Sequence, residues 1–529
     1  MRLSVIKKAL LWITVIALIF GLAAMLNSTM KNTFEFNPDE GTNIIKAELL
    51  LKQFSLYKQI WSDQPPLFTT ILALWFRIFE PSVYSGRILV LFFSLLFIWG
   101  FYRNIRIKTD PLTAFTACIF LVFSAQFLQL SISVMIGIPS LALAMLSVYC
   151  QALYNKSQAK YLLILSGAFM ALSLEIKFFS ALLIPLILLE IAIGQSKDKK
   201  LRQPFLDMLI WLIAASVLYC SITLLFFWPD LNLFAEQLFK PHLAEISIPQ
   251  ADFSVIFKSL FQDYDIALLT ILSLAINFRV KTNMRILLPG LWLGLALLIL
   301  IILRPIWSHY YMLISIPMCW LASVVFVELC RKARVQKNKT LSYYLTFTLI
   351  ILIAARMPYK FIAAWSIFNH PGVGEENRIL DLISKFKEDD KWIFTDLPIY
   401  AFKTGLLVPP ETAVLTLKRL PTAKTVAFVL KKYKPGLILL GRFKDYSPEM
   451  IYQIQKDYRK EMEIFIRRPV THTVCLWYPI STFFPSGMQL SVGKRLNGSR
   501  QNFRIPVVKR ISYFYPQKIT LYVLKTDAG

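Results

Sequence analysis

The sequence predicts a polytopic α-helical membrane protein of about eleven spans, with a C-terminal extracytoplasmic α/β domain. Three observations carry this expectation. The 529 residues are 56% apolar and 14% aromatic, with a mean hydropathy of +0.55, whereas soluble domains sit near 45–50% apolar. Apolar runs of spanning length recur with short polar breaks up to about residue 362. Beyond that point, short apolar stretches alternate with amphipathic ones, as in a small α/β core.

The runs that cover about 20 residues or approach that length are 9–26, 86–103, 111–131, 136–154, 161–175, 178–194, 206–228, 264–279, 285–303, 306–328 and 341–362. The first follows Arg2, Lys7 and Lys8. It lacks a small-residue cleavage site and reads as an uncleaved helix with a cytosolic N-terminus. The run Pro65–Phe79 opens with two prolines, carries Arg77 and is short for a crossing. Charge settles its role. If it does not cross, the cation-bearing breaks 103–108, 156–160, 197–202, 279–285 and 331–339 all face the cytosol. The opposite breaks then hold Asp230, Glu236, Glu245, Asp252 and Asp263. Pro65–Phe79 is therefore expected as a helix lying at the outer interface.

This parity divides the chain into a bundle, residues 1–365, and an extracytoplasmic domain, residues 366–529. The bundle carries a first outer loop over 27–85 and a second over 229–263. It implies an inner (plasma) membrane protein whose long loops and C-terminal domain lie outside. The net charge of +26 belongs with cytosolic loops and lipid headgroups. With no zinc-finger spacing, RNP-like motif or basic helix, nucleic acid is excluded as a partner. Five of the six cysteines, Cys118, Cys150, Cys220, Cys319 and Cys330, lie in or at the end of apolar runs, and Cys475 stands apart. They form no disulfide framework. In the C-terminal region "KWIFTDLP", "TAVLTL", "KTVAFVL" and "GLILLG" are the short apolar stretches, and "SPEMIYQIQKDYRKEMEIF" has helical spacing throughout.

Four segments place chemistry on the outer side. "EFNPDEGTN" holds the adjacent carboxylates Asp39 and Glu40. They read either as first-turn acids that complement a helix dipole or as a general base with a partner that orients it or shares a metal. "WSDQPPLF" adds Asp63 beside Gln64. "RPIWSHYYMLISIP" places Arg304, His309, Tyr310 and Tyr311 where one span ends and the next begins. These suit a snorkelling and aromatic belt or a grip on a lipid-linked phosphate. "SLEIKFF" holds Glu175 and Lys177, either as a mutual pair or as a functional site. Together they suit transfer of a group from a membrane-anchored phosphate donor, with carboxylates activating the acceptor and cations stabilising the leaving phosphate.

The order of these features resembles the GT-C glycosyltransferases that use polyprenyl-phosphate sugars. It is most similar to the broad family of the protein O-mannosyltransferases and lipid A aminoarabinose transferases. The acidic pair of that family matches Asp39 and Glu40, and its juxtamembrane Pro motif matches Gln64-Pro65-Pro66-Leu67. The Arg that opens its next span matches Arg87. Its Thr-Lys-Gly-Phe motif resembles Ile176-Lys177-Phe178-Phe179, and its His-Tyr-Leu-Leu segment resembles His309-Tyr310-Tyr311-Met312. "FTDLPIYAFKTGLLVPPE" resembles the tail domain of bacterial members. The chain departs from the pattern at Gln64, where relatives have His or Lys, and at Phe178, where they have Gly. "SISVMIGIPS" also lacks the acid many relatives carry in that loop. A metal site on Asp39 and Glu40 alone and a metal-free arrangement therefore both stand open. No organic cofactor is implied.

The resemblance implies an inverting glycosyltransferase with Asp39 as base and Glu40 as its orienting partner. Lys177, Arg304, His309, Tyr310 and Arg87 would hold the donor phosphate. Asp63, Gln64, Glu175 and Tyr311 would contact acceptor or donor. The partners implied are a polyprenyl-phosphate sugar, membrane lipid and an acceptor of unstated kind. A lipid or sugar transporter would instead show paired repeats and ionisable or broken helices at mid-membrane depth. The spans here are almost uncharged and show no internal symmetry. An inactive scaffold that binds through the outer domain is the third reading.

Overall fold

A computed structural model describes residues 26–194, 202–241, 253–279, 284–302, 306–335, 373–387, 390–416, 419–443, 446–469 and 514–524, with isolated positions 344, 347, 348, 351, 356 and 360. Asn37 caps the first helix, α1 (Pro38–Leu51), by accepting the Asp39 amide, and Pro38 occupies the first turn. Helix α2 (Leu67–Ile78) has 12 residues, too few to cross. It buries Phe68, Leu72 and Phe76 while Leu74 and Ile78 stay exposed, as an interfacial helix should.

The bundle continues with α3 (Val83–Lys108), α4 (Pro111–Val122), α5 (Gly137–Ser157), α6 (Lys160–Leu174), α7 (Ile184–Ile193) and α8 (Arg202–Phe227). After it come α9 (Ser254–Gln262), α10 (Tyr264–Arg279), α11 (Met284–Ile302) and α12 (Met312–Val335). Each expected span that falls on described residues is helical. Among the described residues, four helices are long and apolar enough to cross alone, or five if the bent pair α9–α10 counts as one span. Five further apolar helices have 10–17 residues. Residues 9–25 of the first expected span lie outside the described residues, as does most of 341–362.

Two expected spans are not single helices. The run 111–131 stops at Val122, turns through Gln126 at φ 72° and resumes at Phe127. The Ala125 amide is satisfied there by Asp263 Oδ2 at 2.8 Å, from the 88° break between α9 and α10. The run 178–194 begins as a 3₁₀ turn over Phe178–Leu183 before α7.

The C-terminal region forms helices α13 (Val373–Phe386), α14 (Pro398–Thr404), α15 (Ala423–Tyr433) and α16 (Pro448–Asp457) around a four-stranded sheet. Its strands are β1 (Ile393–Thr395), β2 (Leu437–Leu440), β3 (Tyr458–Pro469) and β4 (Phe514–Leu524), in the order β1-β2-β4-β3. Strands β1 and β2 are parallel, with Phe394 opposite Ile438, and the other pairs are antiparallel. The boundary expected at 366 lies outside the described residues.

Three details differ from the sequence reading. The described part of "TAVLTL" forms no strand, running from the end of a 3₁₀ turn at Thr412 to Thr416, and "KTVAFVL" lies in α15. The helical pattern from Pro448 ends at Asp457, and "YRKEMEIF" runs on as β3 because β4 supplies a partner. Alternation along β2 explains how the sheet is used. Leu437 and Leu439 join the core shared with the bundle, while Ile438 and Leu440 pack with Val426, Val429, Met450 and Ile454 under α15 and α16.

The domain docks on the first outer loop through α14. Gly41 in α1 permits this contact, since a Cβ there would come within 2.7 Å of the Ile399 nitrogen. Phe34 meets Tyr400 at 4.7 Å between ring centroids, and Phe76 stacks on Phe402 at 5.9 Å.

Candidate active site

The two adjacent acids at the start of α1 part company. Glu40 is fully buried, and its carboxylate takes Arg87 Nε on Oε1 at 2.9 Å and Nη2 on Oε2 at 2.7 Å. The amides of Val134 and Phe36 donate to the same oxygens at 3.0 Å. Arg87 gives its remaining hydrogen bonds to the carbonyls of Met30, Thr33 and Phe34. It is 1% exposed. This bears on two expectations: Arg87 spends its guanidinium on Glu40 and backbone carbonyls where a donor phosphate was expected, and Glu40 makes no hydrogen bond to the Asp39 side chain it was expected to orient. The pair instead ties α3 and the 131–137 loop to the start of α1. That loop carries no acid and joins α1 by backbone, with Asn43 also donating to the Val134 carbonyl at 2.9 Å.

Asp39 takes the opposite direction. Its side chain is 48% exposed, and Oδ1 accepts Arg442 Nη2 at 2.7 Å. A divalent ion shared by Asp39 and Glu40 does not fit here, because Glu40 already accepts four hydrogen bonds on its two oxygens. Among the described residues, no cluster of three or more His, Cys, Asp or Glu side chains could hold a metal.

Lys177 lies between two spans, in the segment joining α6 to the 3₁₀ turn. Its Nζ is 3.3 Å from His309 Nε2 and lies over the rings of Phe179 and Tyr310 at 5.0 and 5.3 Å. Lys177, Phe179 and His309 border a small pocket that Leu130, Met135 and Met312 also line. Burial pushes the Lys177 ammonium down to about 8, against the pull of Asp39 and Asp63. The expected Glu175–Lys177 pair does not form: Glu175 is 1% exposed and accepts the Thr223 hydroxyl at 2.8 Å. Glu175 is thereby withdrawn from substrate.

Tyr311, expected as a contact, is also withdrawn. It is fully buried and donates to Asp263 Oδ2 at 2.9 Å, in a network with Lys360 and the Ala125 amide. Gln64 is half-buried, and its carbonyl accepts from Tyr57 and Ser62. Arg304 lies outside the described residues.

The structure adds groups that sequence reading missed. Lys46 is 2% exposed, lies 3.4 Å from Ser62 Oγ and sits in the field of Asp63 and Asp39. Burial lowers its pKa. A signal was available: Lys46 interrupts the apolar run "NIIKAELLL" seven residues after Asp39, hence on the same helix face. Arg419 lies over Trp61 at 4.7 Å and feels Asp63. Asp63 thus stands among Lys46, Lys177 and Arg419. The second outer loop closes this side through Gln237, which accepts from the Ser62 amide at 3.1 Å and donates to the Tyr57 carbonyl at 2.7 Å.

A half-exposed carboxylate thus stands beside partly desolvated cations at one end of an apolar bundle. Residues 63–226 match the family described as dolichyl-phosphate-mannose-protein mannosyltransferase. The chain is similar in structure to ArnT from Cupriavidus metallidurans bound to undecaprenyl phosphate, with a TM-score of 0.60 and 12% identity over 84% of this chain and 95% of that one. The apo state of the same protein gives a TM-score of 0.59 at 12% identity, over 86% and 96%. The Archaeoglobus fulgidus oligosaccharyltransferase in its apo form is a looser likeness, at a TM-score of 0.48 and 14% identity over 79% and 68%. No curated protein sequence matches the chain. The fold is shared with that ArnT over most of both chains. The chain is a membrane protein of that architecture.

Proposed function

We propose that this protein is an inverting glycosyltransferase that moves a sugar from a polyprenyl-phosphate donor to an acceptor at the outer face of the membrane. The observation that carries the reading is the division of labour at the start of α1. Glu40 is locked into the fold, and Asp39 is left half-exposed in the field of Lys46 and Lys177. Asp39 takes the proton of the acceptor hydroxyl as its oxygen bonds to the sugar C1. The bond from C1 to the phosphate oxygen breaks, and its electron pair leaves with the polyprenyl phosphate. Lys177, with His309 and Tyr310 beside it, receives that developing charge. The ArnT likeness, seen with undecaprenyl phosphate bound, supports a lipid-phosphate leaving group.

The test is donor binding. A charge-assisted hydrogen bond contributes roughly 1.5–3 kcal/mol, so Lys177→Ala raises the donor KM on the order of tenfold or more while melting is little changed. Lys177 binds phosphate only when protonated. Donor affinity is therefore full below its value of about 8 and falls as pH rises through it. An unchanged KM with a lowered melting temperature makes Lys177 structural.

Orientation has its own check. An impermeant thiol reagent applied to intact cells should label Lys58→Cys and spare Val335→Cys, in a background without reactive native cysteines. The reverse pattern puts Asp39 on the cytosolic side and removes the site.

A further inference from the structure

The partner of Asp39 comes from 403 residues away. Arg442 donates from Nη2 to Asp39 Oδ1 at 2.7 Å, and its Nη1 lies 3.4 Å from Thr42 Oγ1, one turn along α1. No hydrogen bond among the described residues engages Asp39 Oδ2.

Arg442 is held from behind. The chain leaving β2 wraps around Asp396, which follows β1 and is 2% exposed. Asp396 Oδ1 accepts the Gly441 amide at 2.9 Å. Its Oδ2 accepts the amides of Arg442 and Phe443 at 2.6 and 3.1 Å and the Tyr446 hydroxyl at 2.7 Å. Two residues beyond Asp396, α14 begins and presses Ile399 against Gly41, directly after Glu40. The loop that presents Arg442 and the helix that presents Asp39 are thus braced against each other by buried contacts.

Magnitude separates the two roles such a pair can have. Asp39 and Arg442 are 48% and 22% exposed, and an ion pair at that exposure contributes little to stability. Apolar packing of α14 on α1 dominates the docking, and the pair adds little to it. An ordered, single-oxygen contact on the candidate base fits control of its geometry better. We propose that Arg442 is a positioning residue: it fixes the Asp39 carboxylate through Oδ1 and leaves Oδ2 to take the acceptor proton, so the C-terminal domain is part of the active site. Asp396 positions Arg442 in turn. This rests on the reading of Asp39 as the base.

The test uses the full-length protein in nanodiscs. The donors are polyprenyl-phosphate sugars labelled in vivo and extracted with their acceptors from the producing cells. Misplacing a reacting group by about 1 Å costs on the order of a hundredfold, so Arg442→Ala should lower kcat by roughly tenfold to a hundredfold. Donor KM and melting temperature should hold. Arg442→Lys should restore part of kcat, and Asp396→Asn should lower kcat with the same unchanged KM. In a cycle, Arg442→Ala added to Asp39→Asn should cost nothing further. A wild-type kcat in Arg442→Ala, or a full additional loss in the double variant, overturns the proposal while Asp39 remains the base. Full turnover by Asp39→Asn alone marks failure of the underlying reading instead.

Discussion

Asp39→Asn is expected to reduce transfer by about 10²–10⁴-fold, the usual contribution of a positioned general base. Donor binding and melting temperature should barely move. The substitution keeps the size of the side chain and an oxygen for Arg442, and the exposed ion pair it weakens contributes about 0–1 kcal/mol. The helix start is also preserved, because Asn37 and not Asp39 provides the cap. Stability is thus silent, and turnover alone separates a base from an acid that complements the helix dipole. A purified variant that keeps more than about a third of wild-type turnover, where a base demands at least a hundredfold loss, returns Asp39 to that second role.

Arg87→Met should produce the opposite pattern, with folding and not chemistry bearing the loss. It leaves Glu40 fully buried without its cation and strips donors from the carbonyls of Met30, Thr33 and Phe34. Removing one partner of a buried ion pair costs about 3–5 kcal/mol. A fall in the melting temperature in detergent and a low yield of folded protein are expected. Glu40→Gln added to Arg87→Met should recover part of the loss, since the uncompensated charge is then gone. The reading fails if Arg87→Met melts like the wild type and loses donor affinity. Arg87 would then face the phosphate, as the family resemblance implied.

These contrasting expectations for neighbouring residues show where sequence reading reached its limit. Asp39 and Glu40 are legible in the sequence as a helix start. Their separate fates are not. Successive residues on a helix point about 100° apart, so one faces the bundle and the other the cleft. Which faces which depends on Arg87 and Arg442, and neither lies near them in sequence. Likewise Lys177 and Glu175 are two residues apart, yet Lys177 meets His309 and Glu175 meets Thr223. The local pattern that suggested a mutual pair held no information about α8 or the turn before α12.

What the sequence determined alone follows from local chemistry. The length of apolar runs sets which segments suit a bilayer, the Lys and Arg bias sets the expected orientation, and Pro65-Pro66 with a short run sets the short helix α2. The short apolar stretches "KWIFTDLP" and "GLILLG" contain β1 and β2. Tertiary structure alone decided the rest. Whether "YRKEMEIF" is helix or strand depends on β4, more than fifty residues downstream. Asp396 became the brace for the Arg442 loop only once β1 and β2 lay side by side. The physical reason is the same throughout: hydropathy and helix signals act within a few turns of chain, whereas the role of a buried charge is set by the partner that neutralises it.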